Sequence, residues 1–569
     1  MSASFGEVRR SQVVTTYGPG SLIPIDEHSY MVAGLDNWDA SDMSLEIHEP
    51  RLERYLGVEG FRLPPSSDGD QRGARDIPVI KFPRIHICSK CERLGRYRDV
   101  AGVGGACSTC SSRLVTSRFI VVCESGHVSD FPYHRWVHRG TNVPEGLEHQ
   151  LSLKAEGRSA SLDDIKVNCS CGAMRAMRGA LGKNAMAGVV LCFGDQPWLR
   201  GSDPVACEHL PRAVQRGASN VWQPLTESAI SIPPWSDEAS RYVDRYWSAL
   251  LVMPRDILDT AVRAMLRDQV GIHADEVLAV ISERQRLMDG PLPTPTGLRE
   301  QEHSALQRGR LDEGRKQQFV CILPDPAEVI PAPVADLRLV TRLREIRALT
   351  GFYRLQRPRA GESGAPLSRK PLRWLPAIEV SGEGVFVGLD LEAVRRWEDL
   401  SAVRARIARL GGSNDPDGQP LPPERVPTPR RVLVHTLAHA LIDQWSLDCG
   451  YPSASLRERL YVGEEMAGFL VYTATSDSAG SLGGVVGMAK EGRFARSLAE
   501  AIARAAWCSN DPLCVESGAV GVDARNLGAC HACVLLPETS CEIGNTLLDR
   551  GVLIGADDGC PGFFEGLLA

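Results

Sequence analysis

Hydrophobic and polar positions follow two different periods along this sequence, and the period changes from region to region. Residues 236–253 and 274–288 place apolar side chains about three to four positions apart, which predicts amphipathic helices. Residues 79–87 form a short run rich in isoleucine and valine, which predicts a strand. Residues 291–318 are polar and contain several prolines and glycines, so we interpret them as a linker or an exposed connection. The pattern therefore predicts a mixture of helices and strands.

The second half of the chain carries longer apolar patterns. Residues 336–373 begin with leucines and an isoleucine at helical spacing among arginines, which predicts an amphipathic helix. After a proline-rich hinge, residues 430–445 predict a packed helix. Residues 467–489 predict a buried strand, a turn rich in glycine and serine, and a helix of small residues. These last elements belong to a C-terminal region with its own pattern.

The length of the chain adds a prediction about its organisation. A chain of 569 residues is too long for one hydrophobic core, so several domains are expected. We predict an α+β, multi-domain protein with small zinc-ribbon modules and a C-terminal α/β zinc-binding domain. The predicted segments are an N-terminal mixed segment (1–80), a zinc-ribbon region with a second zinc site (81–222), a helical region and linker (223–335), a basic central region (336–429) and the C-terminal zinc-binding domain (430–569).

Charge narrows the classes of partner. The net charge of −7 gives no global signature of nucleic-acid binding, so any such surface must be a local patch. Residues 336–373 hold ten basic and three acidic side chains, and arginines on an exposed helix face could follow a phosphate backbone. A solvated helix paired with acidic neighbours explains the same charges. The candidate nucleic-acid contacts are Arg338, Arg342, Arg344, Arg347, Arg354 and Arg357.

Cysteine is the informative residue type. The sequence starts without an apolar signal region and contains no uncharged apolar run of about 18 residues, so we expect a cytoplasmic protein without a membrane anchor. In a reducing compartment, seventeen cysteines are more simply explained as metal ligands than as disulfides. We therefore expect zinc as the cofactor.

The most specific motif consists of two Cys-x-x-Cys pairs. Cys88 and Cys91 are followed, after fifteen residues, by Cys107 and Cys110. Two such pairs supply four thiolates to one tetrahedral Zn²⁺ and close a loop that has little core of its own. The spacing predicts a zinc ribbon, with an iron–sulfur centre as the alternative.

A second zinc site is expected further along the chain. Cys169, Cys171, Cys192 and Cys207 make another set of four thiols, and His209 is a substitute ligand. Between the two sites, four more side chains show the spacing C-x3-H and H-x3-H. These could bind metal or be packed core residues, and they are Cys123, His127, His134 and His138.

A third cysteine group lies near the C-terminus, where five cysteines fall within 34 residues. The two-residue spacer between Cys530 and Cys533 lets one turn present two sulfurs to one ion. Cys541 follows, and either Cys514 or Cys508 completes a set of four. We prefer Cys514 and predict that these four cysteines bind a further zinc ion.

Motifs for enzymatic chemistry are absent or incomplete. We find no phosphate-binding loop for ATP, and His435 and His439 have the spacing of a zinc protease but lack its glutamate, since Thr436 stands in that position. The pattern favours a non-enzymatic protein. The alternative is a metal-dependent hydrolase or nuclease whose metal is bound by His127, His134 and His138 or by His435 and His439. A cysteine nucleophile at Cys123 or Cys449 also stays open. A sensor that recognises another molecule and binds no nucleic acid is a further alternative.

Several motifs together resemble a known family. HTLAHALIDQW, FLVYTATSDSAGSLGGVVGMA and CHAC…CEIGN…LLDR are similar to the helicase-associated zinc-binding domain known as DUF1998, which ends superfamily 2 helicases of the MrfA type and also occurs in stand-alone partners. RRSQVVTTYGPGSLI, CSKC…CSTC, CESGHVSDFPYHRWVH, RGASNVWQP and VTRLREIRALTGFYRL are similar to one family of such partners, the DrmB family of the DISARM anti-phage system.

The resemblance carries expectations about function. It implies a protein with no enzymatic activity of its own that pairs with a DrmA-like helicase, in a complex that engages DNA with unpaired ends. It also implies that the zinc ligands of the helicase-associated domain are Cys514, Cys530, Cys533 and Cys541.

Overall fold

The computed structural model describes most of the chain. The described residues are 6–26, 28–66, 76–141, 149–155, 161–267, 269, 271–312, 317–359, 361–414, 418–473, 483–516, 518–519, 521 and 525–567. Among these residues, no helix combines the length and apolar character that crossing a membrane requires.

The helices are distributed over the whole described chain. They are α1 (Arg10–Thr15), α2 (Pro50–Leu56), α3 (Tyr97–Val100), α4 (Tyr133–Val137), α5 (Glu238–Leu251), α6 (Arg255–Met265), α7 (Ala274–Asp289), α8 (Pro295–Arg308), α9 (Leu391–Glu398), α10 (Ser401–Ala408), α11 (Pro429–Cys449), α12 (Arg493–Ala505), α13 (Leu513–Glu516) and α14 (Gly551–Ile554).

The strands are short in the first half of the chain and longer in the second. They are β1 (Leu22–Ile25), β2 (His28–Val32), β3 (Glu46–Ile47), β4 (Gly60–Arg62), β5 (Val79–Lys81), β6 (Ile85–Cys88), β7 (Arg93–Arg96), β8 (Leu114–Thr116), β9 (Phe119–Val122), β10 (Val128–Asp130), β11 (Leu151–Ala155), β12 (Ile165–Cys169), β13 (Met174–Ala176), β14 (Arg212–Gln215), β15 (Gln223–Ile230), β16 (Val320–Ile322), β17 (Val334–Tyr353), β18 (Trp374–Leu389), β19 (Leu456–Gly463) and β20 (Met466–Thr473). This mixture of helices and sheets confirms the α+β prediction.

The first of two compact units contains the small sheets. It comprises residues 1–47, 61–227 and 348–378. A three-stranded sheet has the order β10-β9-β14, and a six-stranded sheet has the order β13-β12-β11-β7-β6-β8. Phe119, Phe131 and Trp136 lie in the core between them, each almost fully buried. The hairpins of these two sheets position three groups of metal-binding side chains.

The second unit contains the largest core. It comprises residues 48–60, 228–347 and 379–569. Strand β20 pairs antiparallel with both β18 and β19, and all eight of its residues are buried. Helix α11 packs against β19, β20 and α12. Because α11 is buried along most of its length, it carries no amphipathic stripe, and this helix confirms the packed helix predicted over residues 430–445.

Several further predicted elements are present. Helices α5 and α7 confirm the two amphipathic helices, and their apolar faces meet around Val243 and Val277. The buried strand predicted in residues 467–489 is β20, whereas the turn predicted after it lies outside the described residues. The strand predicted over residues 79–87 forms as two strands, β5 and β6. The two-unit division is coarser than the five predicted segments, which stay a prediction.

Two element predictions are wrong. Residues 334–353 form strand β17, not a helix, because the leucines at 337, 339 and 343 also repeat with period two and both faces of the strand are buried. Residues 295–308 form helix α8 within the segment interpreted as a linker. The Thr294 hydroxyl caps this helix by accepting from the Gly297 N–H, and Pro295 occupies its first turn.

Candidate metal centres

All seventeen cysteines lie in described residues and carry free thiols. Most of them converge in groups of four donor atoms, and within each group the donor atoms lie within 4.8 Å of one another. Two thiolates bound to one Zn²⁺ at about 2.3 Å would lie about 3.8 Å apart at the tetrahedral angle. That spacing provides a geometric test of each group.

The ribbon cluster consists of Cys88, Cys91, Cys107 and Cys110, the four residues predicted together. Strand β6 ends at Cys88, and the turn that follows directs the N–H groups of Lys90 and Cys91 toward the Cys88 sulfur at 3.5 and 3.4 Å. The Cys88–Cys110 and Cys91–Cys107 sulfurs are 3.4 and 3.6 Å apart. Hydrogen bonding from Ser112 lowers the pKa of Cys110 to about 6, which favours the thiolate that binds metal. The cluster fits tetrahedral zinc.

The hairpin cluster consists of Cys123, His127, Cys192 and Cys207. Cys123 follows β9 directly and His127 precedes β10, so the tight turn between these paired strands brings them together. The Cys123 sulfur lies 3.4 Å from His127 Nδ1 and 3.9 Å from the Cys207 sulfur. The Cys192 sulfur lies 3.6 Å from the same His127 nitrogen. A Cys3His set of this kind is typical of structural zinc.

The mixed cluster consists of His138, His149, Cys169 and Cys171. Strand β12 ends at Cys169, whose sulfur lies 3.4 Å from His149 Nδ1. The Cys171 sulfur lies 3.3 Å from His138 Nε2. Hydrogen bonds from the Ala173 N–H and from His138 lower the pKa of Cys171 to about 6. The arrangement is a Cys2His2 donor set, which also fits zinc.

The predicted second zinc site is therefore wrong as a group. Its four cysteines divide between two clusters, because Cys169 and Cys171 are held by the β12–β13 hairpin whereas Cys192 and Cys207 meet the β9–β10 hairpin. Each pair is completed by histidines instead of by the other pair. The proposed substitute His209 places Nδ1 3.7 Å from the Cys207 sulfur and 3.0 Å from Ser125, outside the set of four. The ring of His134 lies beside His138, also outside the cluster.

The C-terminal cluster consists of Cys508, Cys514, Cys530 and Cys533. Its sulfurs are 3.5 Å apart for Cys508–Cys530, 3.8 Å for Cys514–Cys533 and 3.7 Å for Cys530–Cys533. Burial alone would raise the pKa of Cys530, but hydrogen bonds from the Ala532 N–H and Asn510 lower it to about 7. The four sulfurs fit one zinc ion.

The predicted choice of ligands in this region is wrong at one position. The prediction included Cys541 and treated Cys508 and Cys514 as alternatives. In the structure both Cys508 and Cys514 belong to the cluster, and Cys541 does not. Cys541 lies in a separate buried cluster with His435, His439 and Glu458. The physical reason is that the fold brings residues 541–547 beneath helix α11, where His435 Nδ1 approaches the Leu547 carbonyl. The spacing of the cysteines in the sequence does not indicate that the chain places Cys541 next to α11.

The predicted nucleic-acid contacts are mostly not on the surface. Arg344 and Arg347 are nearly fully buried, and Arg354 is completely buried. Arg344 donates to Glu379, and Arg347 donates to Glu345 at 2.7 Å. Arg354 follows the end of β17 and donates to backbone carbonyls. All three side chains are enclosed by protein groups and offer no phosphate contact, so their assignment to nucleic acid is wrong.

The other three arginines differ in exposure. Arg338 donates to Asp336 at 2.6 Å and is partly buried. Arg342 is half-exposed and pairs with Asp312. Arg357, beyond the end of β17, is exposed. Of the six predicted contacts, Arg357 is the one whose exposure suits a phosphate.

Some candidate ligands were missed because they are not cysteines. His149 and Glu458 have no nearby cysteine in sequence and lie in ordinary polar surroundings. The Cys123-x3-His127 spacing was the available signal for the hairpin cluster, and the two histidines on one face of α11 were the signal for the buried cluster. Both signals were present in the sequence but did not identify the remaining partners.

Comparisons with known proteins agree with the metal chemistry. A family model described as the MrfA Zn-binding domain matches residues 437–534. A second family model, a domain of unknown function named DUF8724, matches residues 9–223. The DISARM protein DrmB of Bacillus paralicheniformis (strain ATCC 9945a / NCIMB 11709 / CD-2) is 31% identical over 562 residues, covering 92% of this chain and 96% of that protein. Zinc is thus the metal that both the donor sets and the matched family support.

Proposed function

This chain belongs to the DrmB family of DISARM proteins, and from that premise we propose that it is a non-catalytic, zinc-stabilised accessory subunit of an anti-phage defence system. In this proposal it binds a superfamily 2 helicase of the DrmA type and contributes to DNA engagement. The observation that carries the proposal is the similarity to the DISARM protein DrmB along nearly the whole length of both chains.

The donor sets support a structural role for zinc. The ribbon, hairpin, mixed and C-terminal clusters each bring together four side-chain donors, which fill a tetrahedral coordination sphere. A catalytic zinc keeps one position for water or substrate. Bound zinc in these clusters would hold small modules in shape and leave ATP hydrolysis to the partner.

The helicase partner is supported by the C-terminal region. Residues 437–534 match the MrfA Zn-binding domain, and the motifs around that region resemble domains attached to superfamily 2 helicases. In a stand-alone protein, such a domain would act in trans on a separate helicase. We propose this domain as the helicase-binding part of the chain.

DNA engagement, in this proposal, uses the connection between β17 and β18 instead of β17 itself. Arg357, Arg359, Arg369, Lys370 and Arg373 are exposed in this connection. Exposed guanidinium and ammonium groups attract phosphates without reading base sequence. We name these five side chains the basic connection.

The proposal is tested by measuring DNA binding with and without the neighbouring helicase across a salt series, with ATP turnover recorded in the same samples. Tight binding and hydrolysis are expected only when both proteins are present. Replacing Arg357, Arg369 and Lys370 by glutamate should weaken binding and reduce the slope of log K against log salt by roughly 2 to 3.

Matched controls separate the parts of the proposal. Arg98→Glu and Arg178→Glu change exposed arginines of the same unit that pair with aspartates, and they should leave DNA binding unchanged. If the basic-connection variant binds as tightly as the wild type, the DNA surface lies elsewhere. If the lone chain hydrolyses ATP or cuts DNA, the accessory role is wrong.

A further inference from the structure

We propose that His435, His439, Glu458 and Cys541 bind a structural zinc ion at a site distinct from the four cysteine-rich clusters. We name these four residues the buried cluster. The site would join helix α11, strand β19 and the segment that follows the C-terminal cysteine turn. This inference stands apart from helicase or DNA binding.

The donor atoms come from three parts of the chain. His435 and His439 are one turn apart on α11, and their ring centres lie 4.4 Å apart. His435 Nε2 is 3.1 Å from Glu458 Oε1 and 3.2 Å from the Cys541 sulfur. His439 Nε2 is 3.5 Å from the same carboxylate oxygen. All four donor atoms lie within 4.8 Å of one another.

These distances match the edges of a coordination tetrahedron. Nitrogen and oxygen ligands of Zn²⁺ at about 2.0 to 2.1 Å would lie about 3.3 Å apart, and a nitrogen–sulfur edge would be about 3.5 Å. Two imidazoles, one carboxylate and one thiolate are all ordinary zinc ligands, and the combination of one soft with three harder donors favours zinc over calcium or magnesium. The cluster therefore has both the spacing and the chemistry of a zinc site.

In both histidines the ring nitrogen that faces away from the cluster, Nδ1, lies next to a backbone carbonyl. His435 Nδ1 lies 3.3 Å from the Leu547 carbonyl and His439 Nδ1 lies 2.8 Å from the Val534 carbonyl. A carbonyl only accepts, so each Nδ1 carries the proton and each Nε2 presents its lone pair to the cluster. This is how metal-binding histidines are oriented.

The carboxylate and the thiolate are also supported by backbone donors. The Glu542 N–H donates to Glu458 Oε1 at 3.1 Å, and the Asn545 N–H donates to the Cys541 sulfur at 3.2 Å. Such hydrogen bonds stabilise negative charge on the donor atoms. A cation at the centre would balance that charge.

Two buried polar atoms in the cluster indicate that an ion is bound there. His439 Nε2 and Glu458 Oε2 are buried and form no hydrogen bond, and both residues are completely buried. Buried polar atoms without a hydrogen-bond partner are rare, because removing a polar atom from water costs free energy that only a new hydrogen bond or ion contact offsets. A metal ion among these donors would satisfy the histidine nitrogen and compensate the carboxylate.

A metal ion bound at this site would have a structural role and not a catalytic one. Four protein ligands complete the coordination sphere, and the two histidines and the glutamate have no exposed surface. Water and substrate have no access to an ion held there. The rival hydrolase with a metal at His435 and His439 would need an open position.

Native mass spectrometry of the full chain counts the bound ions. The five clusters found among the described residues together predict five bound zinc ions. Cys541→Ala should hold one zinc fewer than Cys560→Ala, which changes a buried cysteine of the same unit that belongs to no cluster and serves as the matched control. Glu458→Gln, which keeps the shape of the side chain, should also lose this ion on mild chelation.

Equal zinc counts in Cys541→Ala and Cys560→Ala would overturn the proposal. If Cys541→Ala does not fold, cadmium-113 NMR of the substituted wild-type protein decides. Cadmium with a single thiolate ligand resonates far from cadmium with two, three or four thiolates, so the buried cluster should give its own resonance. Resonances from the cysteine-rich clusters alone would reject the site.

Discussion

Arg344, Arg347 and Arg354 show what a buried arginine requires. Arg347 pairs with Glu345, and Arg354 donates to the backbone carbonyls of Gly126, Val221 and Gly20. Burial lowers the pKa of Arg354 to about 9, because no carboxylate compensates its charge. The guanidinium group reaches several acceptors at once, which allows it to occupy an interior position that lysine would leave unsatisfied.

A pH-dependent contact is expected at His48. His48 Nδ1 lies 2.7 Å from Glu53 Oε1. Burial opposes protonation, but the hydrogen bond and charge of Glu53 raise the pKa of His48 above 6.5. A raised histidine pKa contributes stability that is fully present below pH 6.5 and is lost as pH rises through the folded-state pKa.

The measurement is the thermal midpoint of His48→Gln and of the wild type at pH 5.5 and 8.5. The free energy of unfolding of the variant should be lower than that of the wild type by about 1 kcal/mol at pH 5.5 and by less at pH 8.5. If the variant is destabilised equally at both pH values, packing and not charge accounts for the contribution of His48 to stability.

At the level of elements, one buried ion pair ties α8 to β19. Arg459 on β19 donates to both oxygens of Glu302 on α8 at 2.6 and 2.7 Å, and both side chains are almost fully buried. The hydroxyl of Tyr461 and the N–H of Ile230 also donate to Glu302. Helix α8, which the sequence pattern did not predict, is thus anchored by a buried polar contact, and Arg299 on the same helix adds an ion pair with Glu542 at 2.7 Å.

Removing either partner of this pair should destabilise the protein strongly. Glu302→Ala and Arg459→Ala should each lower the free energy of unfolding by about 3 to 5 kcal/mol, because each leaves a buried charge without its closest ion-pair partner. The double variant should lose less than the sum of the two. Urea unfolding followed by tryptophan fluorescence measures the three values.

Glu300→Ala is the control on the same helix. Glu300 is exposed, so its loss should change the free energy of unfolding by no more than about 0.5 kcal/mol. Equal effects at positions 300 and 302, or fully additive effects of the Glu302 and Arg459 changes, would contradict the coupling of α8 to β19.

At the scale of the whole molecule, zinc and the polypeptide form one folding system. The first unit contains the ribbon, hairpin and mixed clusters, and the second contains the C-terminal and buried clusters. Since structural zinc contributes folding free energy directly, both units should depend on it.

Zinc removal tests this dependence. Displacing the metal with a mercurial thiol reagent should release zinc and abolish the cooperative thermal transition, as measured by a colorimetric zinc dye and circular dichroism. Reduction with excess thiol and added Zn²⁺ should restore the transition. A cooperative transition that survives complete zinc release would show that the apolar cores suffice.

The comparison of prediction with structure separates local from distant contacts. The ribbon cluster was predicted in full because each Cys-x-x-Cys spacer positions its two sulfurs through local backbone geometry. The hairpin cluster was not, because Cys123 and Cys207 are 84 residues apart and only the sheet brings them together. The helices over 430–445 and 274–288 were predicted from apolar pattern, whereas β17 was not, because its leucines fit two periods.

The sequence by itself determined the α+β class, the metal chemistry and the family, since these depend on residue types, short spacers and ordered motifs. The tertiary structure decided which distant donors share a cluster and which arginines are buried. Arg459 meets Glu302 across 157 residues, and Cys541 meets His435 across 106. A charged or thiol side chain suits either surface or interior, and the choice depends on partners that only folding brings within reach.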